Sequence, residues 1–199
     1  DERNYLHALS FIDQIGFQKI SLLYDRYNSY ENIWKSDVSE WNIFSAKQIN
    51  EIIEKKKNVN ILKEEDKLQS LNIKYLSILD PEYPELLKQI SSPPLILYYK
   101  GDIRLLHSRS LGIVGTRMPS GYGFEAIKKI VPDLVTSGFT ITSGFQRGID
   151  TAAHRSCIDS GGKTIAVLGT GIDIDYPTQN TKLHKELVDN GHLIITEYP

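Results

Sequence analysis

Apolar positions in the first sixty residues recur at helical spacing. Leu6, Leu9, Ile12 and Ile15 lie on or near one stripe, and Ile20, Leu22, Leu23 and Tyr27 follow after Gly16. Gly16 falls where a first helix is expected to end and turn. A third helix is expected over 45–57, with Ser45 as its N-cap and Ile49, Ile52 and Ile53 on one face. No proline and a single glycine occur in this stretch, which reads as a small helical bundle.

The texture then changes. A charged stretch over 63–67 leads into Asn72-Ile73-Lys74-Tyr75-Leu76, the first run that reads as a strand. Pro81, Pro84, Pro93 and Pro94 break helices and stiffen turns before a second short strand, Leu95-Ile96-Leu97-Tyr98-Tyr99. Beyond residue 110 the pattern repeats as strand, glycine loop and helix. Strands are expected at 111–114, 139–142, 164–168 and 193–196, and helices over about 121–137, from near Asp150 to Gly161, and over about 180–190. Asp150 is expected to cap the middle helix, and Pro132 predicts a kink or a later start in the first.

Near-continuous apolar strands alternating with helices predict a parallel sheet covered on both faces. The fold class is therefore α/β: a Rossmann-like parallel sheet over residues 67–199, preceded by a small all-helical domain over 1–66 of the sterile-alpha-motif or helix-hairpin-helix kind. In such sheets ligands bind beyond the carboxyl ends of the strands. The strand ends here carry Gly115-Thr116-Arg117, Ser143-Gly144, Gly169-Thr170-Gly171 and Glu197. Glycines let backbone approach a ligand closely, and the following helix N-termini expose unpaired N–H groups. The set points to an anion site, with phosphate as the expected anion.

Charge changes the picture. The formal net charge is −2, so any grip on nucleic acid has to come from a local basic patch rather than a uniformly basic surface. The single cysteine, Cys157, excludes an intrachain disulfide and fits a reducing compartment. The first thirty residues lack the basic start and apolar core of a signal peptide, and no apolar run reaches membrane-spanning length. A soluble, cytoplasmic protein is expected.

Arg117 is the informative side chain, because a guanidinium directly after a buried strand can take a phosphate in two parallel hydrogen bonds. Neither a P-loop nor the dinucleotide fingerprint is present. Asp150 and His154 stand four apart on one helix, but two ligands make no metal site, and a structural hydrogen bond from His154 is the better account. No catalytic constellation, metal or cofactor is expected. Lys55-Lys56-Lys57 stands among Glu51, Glu54, Glu64 and Glu65 and reads as a solvated helix face.

Several segments together resemble the DNA-processing protein A (DprA/Smf) family. Val114-Gly115-Thr116-Arg117 is similar to its Val-Gly-Ser-Arg, and Ser143 to His154 is similar to its long Ser-Gly to Ala-His motif. Gly162 to Gly171, Tyr176-Pro177, Tyr83-Pro84, Pro93-Pro94, Tyr99-Lys100-Gly101 and Thr196-Glu197-Tyr198-Pro199 continue the match in order and spacing. The resemblance covers about residues 70–199. It implies a protein of natural transformation that binds and protects incoming single-stranded DNA and helps load the recombinase RecA, as a homodimer when full-length.

By the same carry-over, Arg117 is the principal DNA contact. Gly115, Thr116, Ser143, Gly144, Arg147, Gly169, Thr170 and Gly171 line the pocket, with Thr178 and Lys182 beside it. Thr178 stands where some relatives carry a basic residue, and Phe145-Gln146 replaces the usual Leu-Ala. The family pattern continues past Pro199, so the resemblance implies a chain that stops near the end of its Rossmann-like domain. Tyr122, Phe145 and Tyr176 are the aromatic candidates for base stacking. The competing expectation is a nucleotide-binding or nucleotide-hydrolysing enzyme of the phosphoribohydrolase (lysine-decarboxylase-like) type, with Glu197 as general base. A regulatory domain that binds a small nucleotide without turnover is the third.

Overall fold

A computed structural model describes residues 1–198. The elements run α1 (Glu2–Ser10), α2 (Phe17–Tyr27), α3 (Tyr30–Lys35), α4 (Ala46–Asn58), α5 (Ile61–Ser70), β1 (Lys74–Ser77), α6 (Glu85–Lys88), β2 (Ile96–Gly101), β3 (Ser110–Gly112), α7 (Gly121–Thr136), β4 (Thr140–Gly144), α8 (Ile149–Asp159), β5 (Thr164–Val167), α9 (Thr181–Asp189) and β6 (Leu193–Thr196). They form two compact units, Asp1–Leu97 and Tyr98–Pro199, with the division running through β2.

In the first unit, Leu6, Leu9, Ile12, Ile15, Ile20, Ile33, Trp41 and Ile52 are buried. The expected stripe is therefore core, apart from Leu22, which is exposed. Ser45 caps α4 in a full capping box with Gln48. Gly16 does not end a helix: α1 stops at Ser10, and Gly16 is the N-cap of α2 with an ordinary negative φ. The charged stretch over 63–67 is the middle of α5, capped by Asn60; burying only Leu68, this helix carries almost no apolar stripe to read. Lys55 pairs with Asp13, Lys57 with Glu54 at 2.6 Å, and Lys56 donates to the Ser36 carbonyl at 3.1 Å.

The sheet has six strands in the order β1-β2-β6-β5-β4-β3. β3 through β6 are parallel, and β2 runs antiparallel to β6 with Tyr98 opposite Thr196. Each crossover from β3 to β6 steps one strand in the same direction, so right-handed connections put α7, α8 and α9 on one face. Packing agrees: Ile127 and Val131 of α7 and Ile149, Ala153 and Cys157 of α8 enclose Ile141 of β4. Arg155 of α8 pairs with Glu186 of α9. The opposite face is covered as well, with Ile165 and Leu193 buried on it, although not by these crossover helices. Val167 alternates to the opposite face and is 41% exposed.

Pro132 neither stops nor delays α7, which runs as one helix from Gly121 to Thr136. The carbonyl that loses its donor belongs to Lys128, an exposed residue, so solvent can replace the missing bond. Cys157 is buried, and its thiol donates to the Lys163 carbonyl at 3.2 Å. Burial pushes that thiol up to about 11, which removes it as a nucleophile at neutral pH.

His154 ties α8 to two strands. Its Nε2 lies 2.8 Å from the Gly144 carbonyl, which can only accept, so Nε2 carries the proton. Its Nδ1 lies 2.7 Å from the Thr164 hydroxyl oxygen, whose single proton serves either that nitrogen or the Ile141 carbonyl 2.6 Å away. Burial holds the imidazole neutral, lowering its pKa from 6.5 to about 4. His7, buried and stacked on Tyr75 at 4.3 Å in the first unit, is lowered to about 4 in the same way, with Arg3 adding to the effect. Between those values the unfolded chain binds protons at both histidines and the folded chain does not. Stability is therefore complete above pH 6.5 and falls as the pH drops toward 4. Urea unfolding between pH 7 and pH 4 is expected to show this decline, and a flat profile would contradict neutral, buried histidines.

Candidate functional site

The parallel strands β3, β4, β5 and β6 end at Gly112, Gly144, Val167 and Thr196 on one edge of the sheet. At the centre of that edge lies the short turn 145–148, which carries Gln146 and Arg147. On one side it presses against the loop after β3. Gly148 has φ +92°, and a Cβ there would sit 2.3 Å from the Thr116 carbonyl oxygen and 2.8 Å from the Arg117 Cα. The Ile149 N–H donates to that same carbonyl at 3.2 Å. Only glycine allows the Arg117 backbone this close to the turn.

On its other side the turn is held by Asn180. The Asn180 side-chain amide donates to the Phe145 carbonyl at 2.9 Å and to the Thr151 hydroxyl at 2.8 Å. The Thr151 hydroxyl donates in turn to the Gln146 carbonyl at 2.7 Å. Phe145 is buried, with its ring 5.8 Å from that of His154 and 6.1 Å from that of His184.

These three segments enclose a cavity of about 300 Å³ lined by Arg117, Gln146, Arg147, Tyr176, Pro177, Thr178 and Gln179. The lining holds two guanidiniums, two carboxamides, one hydroxyl and a half-exposed tyrosine ring, and no carboxylate. Both arginines are exposed, and among the described residues neither joins an ion pair. An anion with a planar or polar body is what such a lining can hold: the guanidiniums take charge in forked hydrogen bonds, and the amides and the ring meet the rest.

Residues 74–199 match the model of the family described as DNA recombination-mediator protein A. The chain belongs to that family. Protein Smf of Synechocystis is 42% identical over 207 residues, covering 100% of this chain and 51% of the relative. DNA processing protein DprA of Streptococcus pneumoniae is 43% identical over 122 residues, covering 61% of this chain and 43% of its own length. The chain thus spans about half the length of these curated relatives. The crystal structure of the S. pneumoniae protein superposes with a TM-score of 0.80 at 29% identity, over 98% of this chain and 67% of that one. DNA processing protein A from Helicobacter pylori, a protein with a described single-stranded DNA binding mode, gives a TM-score of 0.55 at 32% identity over 63% of this chain and 56% of its own.

Of the residues that the sequence singles out for this family's site, the cavity brings together Arg117, Arg147 and Thr178. Gly115 and Thr116 are exposed in the same loop as Arg117. Ser143 is 2% exposed, and its hydroxyl is committed to the Ile113 carbonyl at 2.5 Å, so it joins β4 to the end of β3 rather than facing the cavity. Gly144 spends its carbonyl on His154. Gly169 is exposed, Gly171 is buried, and the Thr170 carbonyl accepts from Thr196; none of the three lines the cavity. Lys182 is exposed in the first turn of α9, also outside the lining.

Of the three aromatic candidates only Tyr176 lines the cavity. Asp150 is not an N-cap: Gly148 holds that position, and Asp150 is buried in the first turn of α8. Sequence reasoning passed over Gln146 and Gln179 as cavity residues, and saw Asn180 only as a helix start. The signal for Asn180 was its place at the N-cap of α9, yet its side chain makes no capping bond and reaches across to the turn instead.

Replacing Gly148 by alanine is expected to destabilise the fold by on the order of 2 kcal/mol or more, since it adds a clash to a strained φ. A clear drop in thermal midpoint, larger than that of Gly169→Ala where the methyl meets open space, checks this.

Proposed function

We propose that this chain binds single-stranded DNA at the strand-end cavity, gripping phosphate through Arg117 and Arg147. The single observation that carries the reading is the pair of guanidiniums, in no ion pair among the described residues, in one cavity at the sheet edge whose lining has no carboxylate. It answers the charge problem of a chain with net charge −2: the positive potential is local, as binding to a polyanion then requires. In this reading Gly115, Thr116, Ser143, Gly144, Gly169, Thr170 and Gly171 form the frame of this edge, with Thr178 in the wall, and exposed Lys182 in the first turn of α9 meets the strand beyond the cavity. Tyr176 offers a ring face to a base.

Family membership and the H. pylori structure support the same ligand. The wider role follows from the family: a recombination mediator of natural transformation that protects incoming single strands and helps load RecA, acting in the cytoplasm as a homodimer in the whole protein. Among the described residues no helix is long and apolar enough to cross a membrane. Residues 67–199 form the DNA-binding part in this reading, and 1–66 a separate helical domain of the sterile-alpha-motif kind. The activity is binding rather than turnover; Glu197, just after β6, lies outside the cavity lining.

A labelled oligo-dT titrated across a salt series tests this against duplex and mononucleotide. Binding is expected to prefer the single strand, with a log–log salt slope of about −0.7 per phosphate contacted. Arg117→Ala and Arg147→Ala are each expected to weaken binding about tenfold and to make the slope shallower by about 0.7. Unchanged affinity in both variants would place the DNA elsewhere, and a bound or cleaved mononucleotide without single-strand binding would favour the enzyme.

A further inference from the structure

Asn180 is 4% exposed and cannot touch a ligand, yet every bond its side-chain amide donates ends on the turn that carries Arg147 or on the first turn of α8. We infer that Asn180 is a positioning residue for the DNA site: a buried latch that fixes the separation of the two cavity walls. This rests on the function proposed above.

Arg147 and Gln146 stand on one wall, in the turn 145–148. Tyr176, Pro177, Thr178 and Gln179 make the other, in the segment that ends at Asn180. Phe145 and Asn180 are 35 positions apart in sequence, so nothing local holds the walls in register. The Asn180 backbone N–H donates to the Pro177 carbonyl at 2.8 Å, which fixes the latch to its own wall. Its side chain then spans to the other wall twice, once directly to Phe145 and once through Thr151 to Gln146. The Phe145 carbonyl can only accept, so the amide nitrogen must face it, and aspartate cannot substitute. The same turn is braced on its far side by the Thr116 carbonyl. Arg117, Arg147 and the 176–179 wall therefore share one frame, and the latch sets the distance over which a phosphate and its neighbouring base are held. Geometry of this kind matters to affinity because a preorganised pair of donors loses less on binding than a mobile one.

The test is a double-mutant cycle on the whole chain, with oligo-dT binding measured for wild type, Asn180→Ala, Arg147→Ala and the double variant. Asn180→Ala is expected to weaken binding about tenfold, by leaving the turn's acceptors unpaired and Arg147 unplaced. In the Arg147→Ala background the same change is expected to have little further effect, because its influence runs through Arg147. Thr151→Val, which keeps the volume and removes the relay hydroxyl, is expected to weaken binding in the same direction by a smaller factor. Fully multiplicative losses in the double variant, or wild-type affinity in Asn180→Ala, would overturn the inference.

Hydrogen exchange of the backbone over 144–152 gives a readout that needs no DNA. It is expected to quicken in Asn180→Ala and Thr151→Val while β4 and β5 stay protected. If wild type fails to bind oligo-dT, the proposed function falls, and the exchange result alone decides the latch: unchanged exchange over 144–152 would end it.

Discussion

Parallel neighbours in a sheet cannot be joined by a hairpin; each pair needs a crossover that returns the chain to its starting edge. In this protein the crossovers α7, α8 and α9 link β3, β4, β5 and β6 in strict sequence order. Four strand ends therefore emerge side by side, and every loop that follows one must share the same edge. The cavity, its arginines and the glycine between them are consequences of that constraint. The apolar cluster around Ile141 and the His154 bonds to β4 and β5 keep the strands and α8 in register.

Within that edge, charge and packing divide the labour between residues of similar appearance. Ser143, Asp150 and His154 belong to the same motif as Arg147, and all three are buried. Ser143 and His154 spend their polar atoms on backbone or on Thr164. Arg147 faces outward and shares a cavity with Arg117, from a loop some thirty residues earlier. A motif that reads as one functional string is thus mostly scaffold, with a single side chain from it reaching the cavity besides Gln146. The scaffold residues matter because a low-dielectric interior makes each unmade hydrogen bond costly, so the turn they brace has little freedom to drift.

The cavity's remaining side chains are neutral on both walls. Thr178 and Gln146 stand where the resemblance leads one to expect a basic residue and a small one, so the cavity is less positive and more polar than the family pattern implies. Two guanidiniums remain, while amides and a tyrosine ring fill the remaining surface.

The order of strands and crossover helices after residue 110 was legible in the residues alone, because the switch from helical to strand periodicity and the glycines after the strands are local signals. The sequence placed α4 with its cap, β4, α8, β5, α9 and β6 within a few residues, and it put Arg117 in the loop after β3, but it took that strand as buried where β3 is largely exposed and Val114 is open to solvent. It missed α5, whose helix buries only Leu68 and leaves no stripe. Pro132 does not delay the start of α7, because its missing bond falls on the exposed side of that helix. That the three crossover helices share one face became visible only with the strand order, which no strand's composition records. Only the tertiary structure separated Ser143 from Arg147, because alternation in a strand and outward aim in a turn are set by pairing register. Asn180 was least legible of all: its partners lie 29 and 35 residues away, and no local pattern records a bond made across the fold.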